Sequence, residues 1–377
     1  MTARGVAVLG STGSVGTTAL RVLARHGDRF RVAALTAFSN TELLAAQAAE
    51  FKPSFVGVCA NGARPHPGWT EGVECLVEAA TRSDVSIVIN AIVGAAGLDA
   101  TLAAVSAGKR VALANKETLV MAGALVAEAC AKGGGELVPV DSEHSAILQC
   151  LAGRTSAEVK RLVLTASGGP FREWSSERLA NATIADALQH PTWRMGKKIS
   201  IDSATLANKA LEVIEAHFLF SLPYDQIEVV VHPQSIVHSF VEFVDGSVLA
   251  QLGTPSMELP VLYALTHPER VSDNAMPAFD PVGWPALTFE RVRADDFPAL
   301  AQGLAAGRRG GAAPAVFNAA NEQAVGLFLE NRIRFMDIAR AIESALDACG
   351  EGPADTRAAV MTADAAARRH VLEKFAC

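Results

Sequence analysis

Two carboxylates of this chain lie close together directly after an apolar run, where they could bind a metal ion. Asp141 and Glu143 follow residues 138–140 and are two positions apart, so in an extended backbone their side chains share one face. Neighbouring carboxylates repel each other unless a cation or a proton compensates their charge, and ligation by oxygen alone favours Mg²⁺ or Mn²⁺ over zinc. The alternative is that Asp141 caps a helix beginning at Ser142 while Glu143 faces water.

Glu212 supplies a third carboxylate, in a segment from 199 to 220 with helical spacing. Asp202 or Ser203 is the expected N-cap, and apolar positions recur every three or four residues along one face. The other face carries neighbours at i, i+3 and i, i+4, namely Asn208, Lys209, Glu212 and Glu215. Either this face is solvated, or a phosphate binds near its start and Glu212 completes the metal site. The residues available to such a phosphate are Ser203, Asn208 and Lys209.

Two loops could contribute further groups. Residues 165–171 (TASGGPF) form a small-residue turn after a strand-like run, in which successive backbone N–H groups could bind an anion and Ser167 adds a hydroxyl. A plain connecting loop is the alternative. Residues 190–196 (HPTWRMG) combine His190 and Trp193 with a methionine and a glycine, and such a loop is either a lid over a substrate or a permanent plug in the core.

The sequence GSTGSVG at residues 10–16 joins an apolar run, residues 6–9, to a segment with helical spacing, residues 17–24. Glycines allow the backbone to approach a pyrophosphate, and the free N–H groups of the helix start favour its charge. The pattern predicts a dinucleotide site. Its GxxGxxG spacing differs from the commoner GxGxxG, and a tight turn without a ligand would look similar.

The groups described above must be positioned by strands and helices, and the first third of the chain alternates strand-like and helix-like patterns. Strand-like runs occupy residues 31–35, 55–58, 85–89, 110–114 and 136–140, and helical patterns occupy residues 41–51 and 97–107. This alternation predicts an N-terminal Rossmann-type domain with a parallel sheet over residues 1–140. Ligands bind beyond the carboxyl ends of such strands, where Asn90, residues 115–117 and residues 141–144 are expected to lie.

The rest of the chain divides into three further segments. A mixed α/β catalytic domain is expected over residues 141–267, with strands near 160–165, 226–231, 239–243 and 247–252; the last two flank Asp245-Gly246, a pair typical of hairpin turns. Residues 268–290 contain four prolines and are expected to form a linker. Alanine-rich helical patterns at 315–330, 335–349 and 354–375 predict a small α-helical C-terminal domain over residues 291–377.

Composition restricts the class of protein. The formal net charge is -7 and half of the residues are hydrophobic, which indicates a well-packed enzyme without an electrostatic reason to bind nucleic acid or an anionic membrane. The six cysteines are far apart and show no zinc-like spacing, as expected of reduced thiols. No apolar run is long enough to span a membrane, and the first strand begins too early for a signal peptide, so we expect a cytoplasmic protein.

Together, the motifs carry a resemblance to a known family. In order, they are GSTGSVG, ALANKETLV, PVDSEH, LTASGGPFR, HPTWRMGKKISIDSATLANKALEVIEA, HPQSIVHSFVEFVDGS and NAANE. The sequence resembles the 1-deoxy-D-xylulose 5-phosphate reductoisomerases over essentially its whole length. The long block beginning with HPTWRM is the most specific of these motifs, since a plain Rossmann dehydrogenase has no reason to carry it.

This resemblance implies a homodimer that rearranges a metal-bound ketose phosphate to a branched aldehyde and reduces it with NADPH to 2-C-methyl-D-erythritol 4-phosphate. It implies that Asp141, Glu143 and Glu212 bind one divalent cation, Mg²⁺ or Mn²⁺, and that Ser142 and Lys116 contact the substrate. The residues implied for the phosphate are Ser167, Ser203, Asn208 and Lys209, with His190 and Trp193 on a closing lid. Those implied for NADPH are Gly10, Thr12, Gly13, Ser14, Val15, Asn115 and Glu117. By resemblance the catalytic residues are Lys116, Asp141, Glu143 and Glu212.

The turn after the second strand departs from the family pattern. Residues 37–41 (AFSNT) contain neither the usual basic residue for the 2′-phosphate of NADPH nor an acidic residue that would favour NAD. Ser39 and Asn40 can still donate hydrogen bonds to a phosphate. We therefore expect NADPH as the cofactor, with weaker discrimination against NADH than a basic residue would provide.

Two other functions share part of this sequence pattern. A semialdehyde dehydrogenase would need a nucleophilic cysteine with a histidine partner, and neither Cys130 nor Cys150 lies in such a setting. A catalytically silent NADP-sensing protein would have no use for three carboxylates and a lysine. Indifference to Mg²⁺ and inertness toward the ketose phosphate would identify such a protein.

Overall fold

The structure is a computed structural model that describes residues 3–60, 62, 66–193, 195–283 and 286–376. Its strands are β1 (Arg4–Leu9), β2 (Phe30–Ala37), β3 (Phe55–Val58), β4 (Thr70–Glu71), β5 (Ile87–Asn90), β6 (Arg110–Leu113), β7 (Glu136–Pro139), β8 (Val159–Ala166), β9 (Ile227–Val231), β10 (Val237–Phe243) and β11 (Val248–Leu252).

The helices within these ranges are α1 (Ser14–Arg25), α2 (Thr41–Phe51), α3 (Cys75–Thr81), α4 (Leu98–Ser106), α5 (Lys116–Gly133), α6 (Ser142–Cys150), α7 (Ser176–Leu179), α8 (Ile184–Ala187), α9 (Lys197–Thr205), α10 (Ala207–Phe220), α11 (Glu258–Thr266), α12 (Pro298–Arg309), α13 (Ala313–Leu329), α14 (Asp337–Cys349) and α15 (Arg357–Phe375). In the described ranges, every helix is too short or too polar to cross a lipid bilayer.

The chain forms two compact units that do not follow the order of the sequence. The first unit contains Met1–Thr118, Val126–Ser145 and Ser256–Pro277. The second contains Leu119–Leu125, Ala146–Pro255 and Ala278–Cys377. The sequence predicts a different division, into functional segments 1–140, 141–267, 268–290 and 291–377, and that division stays a prediction.

The first unit is built on a seven-stranded parallel sheet with the order β4-β3-β2-β1-β5-β6-β7. The central strands are continuously apolar, as strands covered by helices on both faces must be; residues 5–9 of β1 and all of β5 are buried. Strand order reverses between β1 and its neighbours β2 and β5, which is where doubly wound sheets bind ligands. The Rossmann-type fold predicted from the alternating pattern is confirmed.

The second unit is built on a mixed four-stranded sheet with the order β11-β10-β8-β9. β10 and β11 form the predicted antiparallel hairpin. At its turn, the Asp245 Oδ1 accepts hydrogen bonds from the Ser247 N–H at 2.9 Å and hydroxyl at 2.7 Å, and Gly246 adopts a φ of 86° that glycine tolerates without strain. The sheet packs on α10 through a core that includes Leu162, Leu164 and Val213.

Helices α12 to α15 form the other part of the second unit. Their apolar faces share one core with α9 and α10, in which Phe317 and Ile342 are fully buried. Gly303 of α12 allows this packing, because a Cβ there would lie 2.5 Å from the Ala210 Cβ on α10. The three predicted alanine-rich helices correspond to α13, α14 and α15, whereas α11 and α12 have no counterpart among the predicted elements.

One predicted element was wrong. The segment 199–220 is two helices rather than one, because Leu206 adopts a left-handed conformation with φ of 60° between α9 and α10. Asp202 and Ser203 are therefore inside α9 and do not cap a helix. The Thr205 hydroxyl accepts a hydrogen bond from the Ala207 N–H at 3.3 Å, which compensates part of the interruption.

Candidate functional site

The glycine turn of the first unit leaves the start of α1 open. The N-cap of α1 is Gly13, so no side chain caps the first N–H groups, and the first turn contains no acidic residue. Thr12 and Val15 are half-buried, and Gly13 and Ser14 are exposed. Uncapped N–H groups at the N-terminus of a twelve-residue helix favour an anion, so this turn fits a pyrophosphate.

Glycine occupies three positions of this turn for different physical reasons. Gly10 has a φ of 79°, and a Cβ on Gly16 would lie 2.2 Å from the Gly10 carbonyl oxygen, so both are required by the backbone itself. At Gly13 a Cβ would meet only the Gly10 oxygen, at 3.3 Å, among the described atoms. Internal packing thus demands less of Gly13, which leaves close approach of a ligand as the reason for a glycine there.

The turn after β2 presents polar groups and one large apolar side chain. Phe38 is 73% exposed, and Ser39 and Asn40 are exposed beside it. The Asn40 Oδ1 caps α2 by accepting a hydrogen bond from the Leu43 N–H at 3.2 Å. The Asn40 side-chain N–H groups are therefore the ones that can donate to a ligand.

Two asparagines at strand ends prove to be structural. Asn90 donates to the Gly97 carbonyl oxygen at 3.0 Å and to the Thr101 hydroxyl at 2.8 Å, and its Oδ1 accepts from the Ile92 N–H. Asn115 caps α5, and its Nδ2 contacts the carbonyl oxygens of Ile92 and Gly94 at 2.9 Å and the Glu117 Oε2 at 3.0 Å. Both side chains are fully buried and fix the loops around them.

Lys116 and Asp141 form an ion pair in the first unit. The Lys116 Nζ lies 2.6 Å from the Asp141 Oδ2, and the side chains are only 9% and 11% exposed. The Asp141 Oδ1 also accepts a hydrogen bond from the Glu143 N–H at 3.3 Å, at the start of α6. The predicted cap therefore exists, but its carboxylate is engaged by a lysine at the same time.

Glu143 and Ser142 lie beside this ion pair. Glu143 is half-buried, and its Oε2 accepts a hydrogen bond from the Ser142 hydroxyl at 3.0 Å. Glu143 therefore does not simply face water, and the donors present within this unit, two carboxylates and a hydroxyl, are the hard oxygen ligands that Mg²⁺ prefers.

In the second unit, the polar face of α10 is buried rather than solvated. Lys209 is 5% exposed and Glu212 is 1% exposed, and the two side chains form an ion pair. The Asn208 Nδ2 donates to the Glu212 Oε1 at 2.5 Å. The i, i+3 and i, i+4 contacts predicted from the sequence are present, but their solvated interpretation is wrong because tertiary packing covers this face.

Ser167 and His190 form a hydrogen-bonded pair near the end of β8. The His190 Nδ1 accepts the backbone N–H groups of Thr192 at 3.2 Å and Trp193 at 2.9 Å, so the ring proton is on Nε2 and is donated to the Ser167 Oγ at 2.9 Å. Burial lowers the pKa of His190 to about 4, which keeps the ring neutral at pH 7. Ser167 also accepts from the Gly169 N–H at 3.2 Å, so its own O–H is the group left to donate to a ligand.

The segments that carry the predicted phosphate-binding residues of the second unit are in contact. A Cβ on Gly169 would lie 2.5 Å from the Ser203 carbonyl oxygen, so the turn after β8 packs directly against the end of α9. The Lys209 Nζ donates to the Thr165 carbonyl oxygen at 2.6 Å, which joins the start of α10 to the same turn. The segments that carry Ser167, Ser203 and Lys209 therefore meet near Leu206, and a phosphate site there stays a prediction.

The Trp193 loop is anchored at two points. Trp193 is half-buried with its ring centroid 6.4 Å from that of His238, and the Thr192 hydroxyl lies 3.5 Å from the Pro233 carbonyl oxygen. Arg194, within the same loop, lies outside the described residues. A closing lid therefore stays a prediction.

A buried network beneath these residues was not predicted. Asp202 is 1% exposed; its carboxylate pairs with the Lys198 Nζ at 2.7 Å and accepts from the Asn321 Nδ2 at 2.8 Å. The network ties α9 to α13 and so holds the Leu206 joint in place. The NAANE motif, which puts asparagines into an apolar helical pattern, is the sequence signal that could have indicated it.

The cysteines considered for a dehydrogenase nucleophile are unsuited to that role. Burial raises the pKa of Cys130, and Cys150 packs in the core beneath the second sheet. A nucleophilic thiol needs a lowered pKa and access to substrate. The environments of Cys130 and Cys150 therefore argue against the semialdehyde dehydrogenase alternative.

Comparison with known proteins covers nearly the whole chain. Residues 6–123 match the family model "1-deoxy-D-xylulose 5-phosphate reductoisomerase", and residues 137–220 and 252–370 match two models of the C-terminal domains of that family. The 1-deoxy-D-xylulose 5-phosphate reductoisomerase of Synechococcus sp. strain JA-2-3B'a(2-13) is 49% identical over 379 residues, covering 98% of this chain and 96% of the relative.

Two solved structures show the same fold. A DOX-P reductoisomerase in complex with NADPH, fosmidomycin and magnesium has a TM-score of 0.93 and 41% identity, covering 99% of this chain and 98% of that one. The Zymomonas mobilis 1-deoxy-D-xylulose 5-phosphate reductoisomerase in complex with NADPH has a TM-score of 0.90 and 42% identity, covering 98% of both chains. With sequence identity of this extent along the whole length, the chain belongs to the 1-deoxy-D-xylulose 5-phosphate reductoisomerase family.

Proposed function

We propose that this chain catalyses the NADPH-dependent rearrangement and reduction of 1-deoxy-D-xylulose 5-phosphate to 2-C-methyl-D-erythritol 4-phosphate, with a divalent cation as cofactor. The observation that carries the proposal is the buried Lys209–Glu212 ion pair, to which the half-buried Asn208 is hydrogen-bonded, in a chain that matches the family over nearly its full length. Burying an amine and a carboxylate costs stability, and replacing such a pair by apolar residues is often neutral or favourable. A retained pair of this kind is therefore best explained by a function.

The substrate phosphate is assigned to the second unit. Ser167 and Ser203 supply hydroxyls, and Asn208 and Lys209 supply an amide and an ammonium group. His190 holds the Ser167 hydroxyl oxygen from one side, which turns its proton toward the phosphate. Binding of the phosphate provides energy at a distance from the reacting carbons and holds them in position for the reaction. Trp193 and His190 would cover the substrate and exclude water from it.

Asp141, Glu143 and Glu212 are assigned to the cation. Support comes from the chemistry of the donors, which are carboxylate oxygens, and from the relative whose solved structure contains magnesium. Mg²⁺ or Mn²⁺ bound there would supply a Lewis acid for the ketone and neighbouring hydroxyl oxygens of the substrate. Lys116 holds the Asp141 carboxylate and places a positive charge beside the substrate, which Ser142 contacts through its hydroxyl.

NADPH is assigned to the first unit. Gly10, Thr12 and Gly13 belong to the open turn before α1, Ser14 and Val15 are the first residues of that helix, and Ser39 and Asn40 supply donors for the 2′-phosphate. Asn115, the N-cap of α5, and Glu117, in the first turn of that helix, complete this set. Since the Asn115 side chain is saturated with protein contacts, its contribution is to shape the loop around it. Equal catalytic efficiency with NADPH and NADH would contradict a preference for NADPH.

The proposed partner is a second copy of this chain. β11 is an edge strand of its sheet, and Val248 is 52%, Leu249 36% and Leu252 38% exposed. Val244 at the adjacent turn is 66% exposed. An apolar edge strand is an aggregation hazard unless it is covered, and pairing with its own counterpart across a two-fold axis covers it in a closed dimer. A cytoplasmic location completes the proposal, in keeping with six widely spaced cysteines of the kind expected of reduced thiols.

One assay tests the reaction. Purified protein should oxidise NADPH in the presence of 1-deoxy-D-xylulose 5-phosphate and Mg²⁺, which is monitored as the loss of absorbance of the reduced nicotinamide. Excess chelator should abolish this activity. Glu212→Gln should lose turnover while NADPH still binds, measured by fluorescence titration. Full activity in chelator would contradict the metal assignment. NADPH binding without turnover of the ketose phosphate by the wild-type protein would favour the NADP-sensing alternative.

A further inference from the structure

Two cysteines that the reaction does not use lie next to each other in the first unit. The Cys59 Sγ is 3.8 Å from the Cys75 Sγ, although the residues are sixteen positions apart in the sequence. Cys59 is half-buried at the end of β3, and Cys75 is fully buried as the first residue of α3. The sequence alone indicates no relation between them, because their spacing matches no known redox or zinc motif.

The backbone around the pair is built to hold the two sulfur atoms together. The Cys59 N–H donates to the Ala37 carbonyl oxygen at 2.9 Å, and the Gly72 N–H donates to the Val58 carbonyl oxygen at 2.9 Å. The Cys75 N–H donates in turn to the Gly72 carbonyl oxygen at 3.1 Å. A short chain of backbone hydrogen bonds therefore links the two cysteines.

Gly57 makes room for this arrangement. It lies on the same face of β3 as Cys59, two residues earlier, and a Cβ there would lie 2.7 Å from the Cys75 Cβ and 2.8 Å from its Sγ. The absence of a side chain at Gly57 is what allows the Cys75 side chain to rest on the strand and reach Cys59.

The two thiols differ in reactivity. The hydrogen bond between them lowers the pKa of Cys59, while the same bond and burial raise the pKa of Cys75. Cys59 is also the more accessible of the two. This division, a partly exposed thiol with the lower pKa beside a buried partner, is the arrangement in which one cysteine reacts with an oxidant and the other resolves the product.

The position of the pair connects it to the proposed cofactor turn. The Ala60 N–H, directly after Cys59, donates to the Phe38 carbonyl oxygen at 2.8 Å. Phe38 precedes Ser39 and Asn40, the residues assigned to the 2′-phosphate of NADPH. Any displacement of Cys59 is thus transmitted to that turn through two backbone hydrogen bonds, from Cys59 to Ala37 and from Ala60 to Phe38.

We propose that Cys59 and Cys75 form a modification site that hydrogen peroxide converts to a disulfide, and that this disulfide weakens NADPH binding. The Cys59 thiolate attacks one peroxide oxygen, the O–O bond breaks, hydroxide leaves, and Cys59 becomes a sulfenic acid. The Cys75 sulfur then attacks the Cys59 sulfur, the S–O bond breaks, and the hydroxyl leaves with the Cys75 proton as water. Overall, two thiols are oxidised and one peroxide is reduced to two waters.

Closure of the disulfide requires movement. An S–S bond of about 2.05 Å brings the sulfur atoms about 1.7 Å closer than they are in the dithiol form. Because Cys75 is held by the core, most of this movement falls on Cys59 and the end of β3. The link to the cofactor rests on the proposed function, whereas formation of the disulfide does not.

The chemical part of the proposal can be tested by peptide mapping. The full-length protein is treated with hydrogen peroxide, remaining thiols are blocked, and the protein is digested with Glu-C, which cuts between the cysteines after Glu71 and Glu74. We expect residues 51–71 and 75–78 to appear as one linked species, two hydrogens lighter than the sum of the separate peptides, and to separate again after reduction. Absence of this species in oxidised wild-type protein overturns the proposal.

The functional part is tested by NADPH titration of the reduced and oxidised protein. We expect oxidation to weaken NADPH binding by at least about fivefold, reversibly with dithiothreitol. Cys59→Ser and Cys75→Ala should remove this sensitivity, and Cys130→Ser, also half-buried, should retain it. Equal affinity of the reduced and disulfide forms overturns the link to the cofactor. Failure of the reduced wild-type protein to bind NADPH would instead overturn the proposed function and, with it, this link.

Discussion

The buried ion pair between Lys209 and Glu212 should make the stability of the second unit sensitive to the loss of either charge. Lys209→Met leaves the Glu212 carboxylate 1% exposed without its cation and also removes the donor to the Thr165 carbonyl oxygen. Breaking a buried pair by removing one partner costs about 3–5 kcal/mol, because the remaining charge stays buried and has lost its counter-ion. We expect the free energy of unfolding to fall by that amount.

A second variant separates this explanation from a general loss of packing. Lys209→Met combined with Glu212→Leu removes both charges and should recover at least about half of the lost stability. The matched control is the exposed pair of Lys132 and Glu128 on α5, whose side chains are 76% and 56% exposed. Lys132→Met should change stability within experimental error, since exposed pairs contribute little.

Urea denaturation followed by circular dichroism, with chelator present throughout, measures these differences. The comparison is valid where the dependence of the unfolding free energy on urea is unchanged between variants. If Lys209→Met and Lys132→Met had the same effect, or if the double variant were less stable than Lys209→Met alone, burial of the charge would not be the cause and the reasoning would be refuted.

Three further predictions concern other parts of the molecule. Burial lowers the pKa of His190 from 6.5 to about 4, so the stability its neutral ring contributes is complete above pH 6.5 and is lost as the pH falls toward 4. NMR titration of the imidazole should give a midpoint well below 6.5, and a midpoint near 6.5 would contradict a buried, neutral ring whose Nδ1 accepts the Thr192 and Trp193 N–H groups. Gly16→Ala should destabilise the first unit, because its Cβ would lie 2.2 Å from a backbone oxygen. Gly13→Ala, whose Cβ would lie 3.3 Å from a backbone oxygen, should lower the melting temperature much less but weaken NADPH binding, and normal NADPH affinity of this variant would argue against the cofactor site. Val248→Glu on β11 should reduce the dimer fraction in sedimentation experiments, while the control Val282→Glu, 86% exposed, should not; equal behaviour of the two would exclude β11 as the interface.

Much of the fold was predictable because it depends on local patterns. The alternation of apolar strands with helical segments indicated the parallel sheet, and β3 and α2 have the predicted bounds, 55–58 and 41–51. Asp245-Gly246 indicated the hairpin for a local reason as well, namely the positive φ of its glycine. By contrast, α11 and α12 follow proline-containing segments without a clear helical period, and they were missed.

The failures have a common physical origin. The left-handed Leu206 carries no local signal, since leucine ordinarily continues a helix, and only packing against the surrounding helices keeps it in that conformation. The same holds for the polar face of α10, whose spacing is equally compatible with solvent and with burial. The Asn115 side chain is bonded to the loop around it, which its spacing in the sequence does not reveal, and its role at the cofactor stays a prediction.

The sequence by itself determined the family, the glycine turn for a dinucleotide and the carboxylates suited to a hard cation, because these depend on residue types and short spacings. Tertiary structure alone decided which side chains are buried and which distant residues meet. It buried Lys209 and Glu212, which the spacing left equally compatible with a solvated face, and it placed the His190 ring where Nε2–H donates to the Ser167 hydroxyl oxygen. It also brought Cys59 and Cys75 to 3.8 Å. Contacts between residues far apart in the chain are set by packing of the folded core, and no local pattern encodes them.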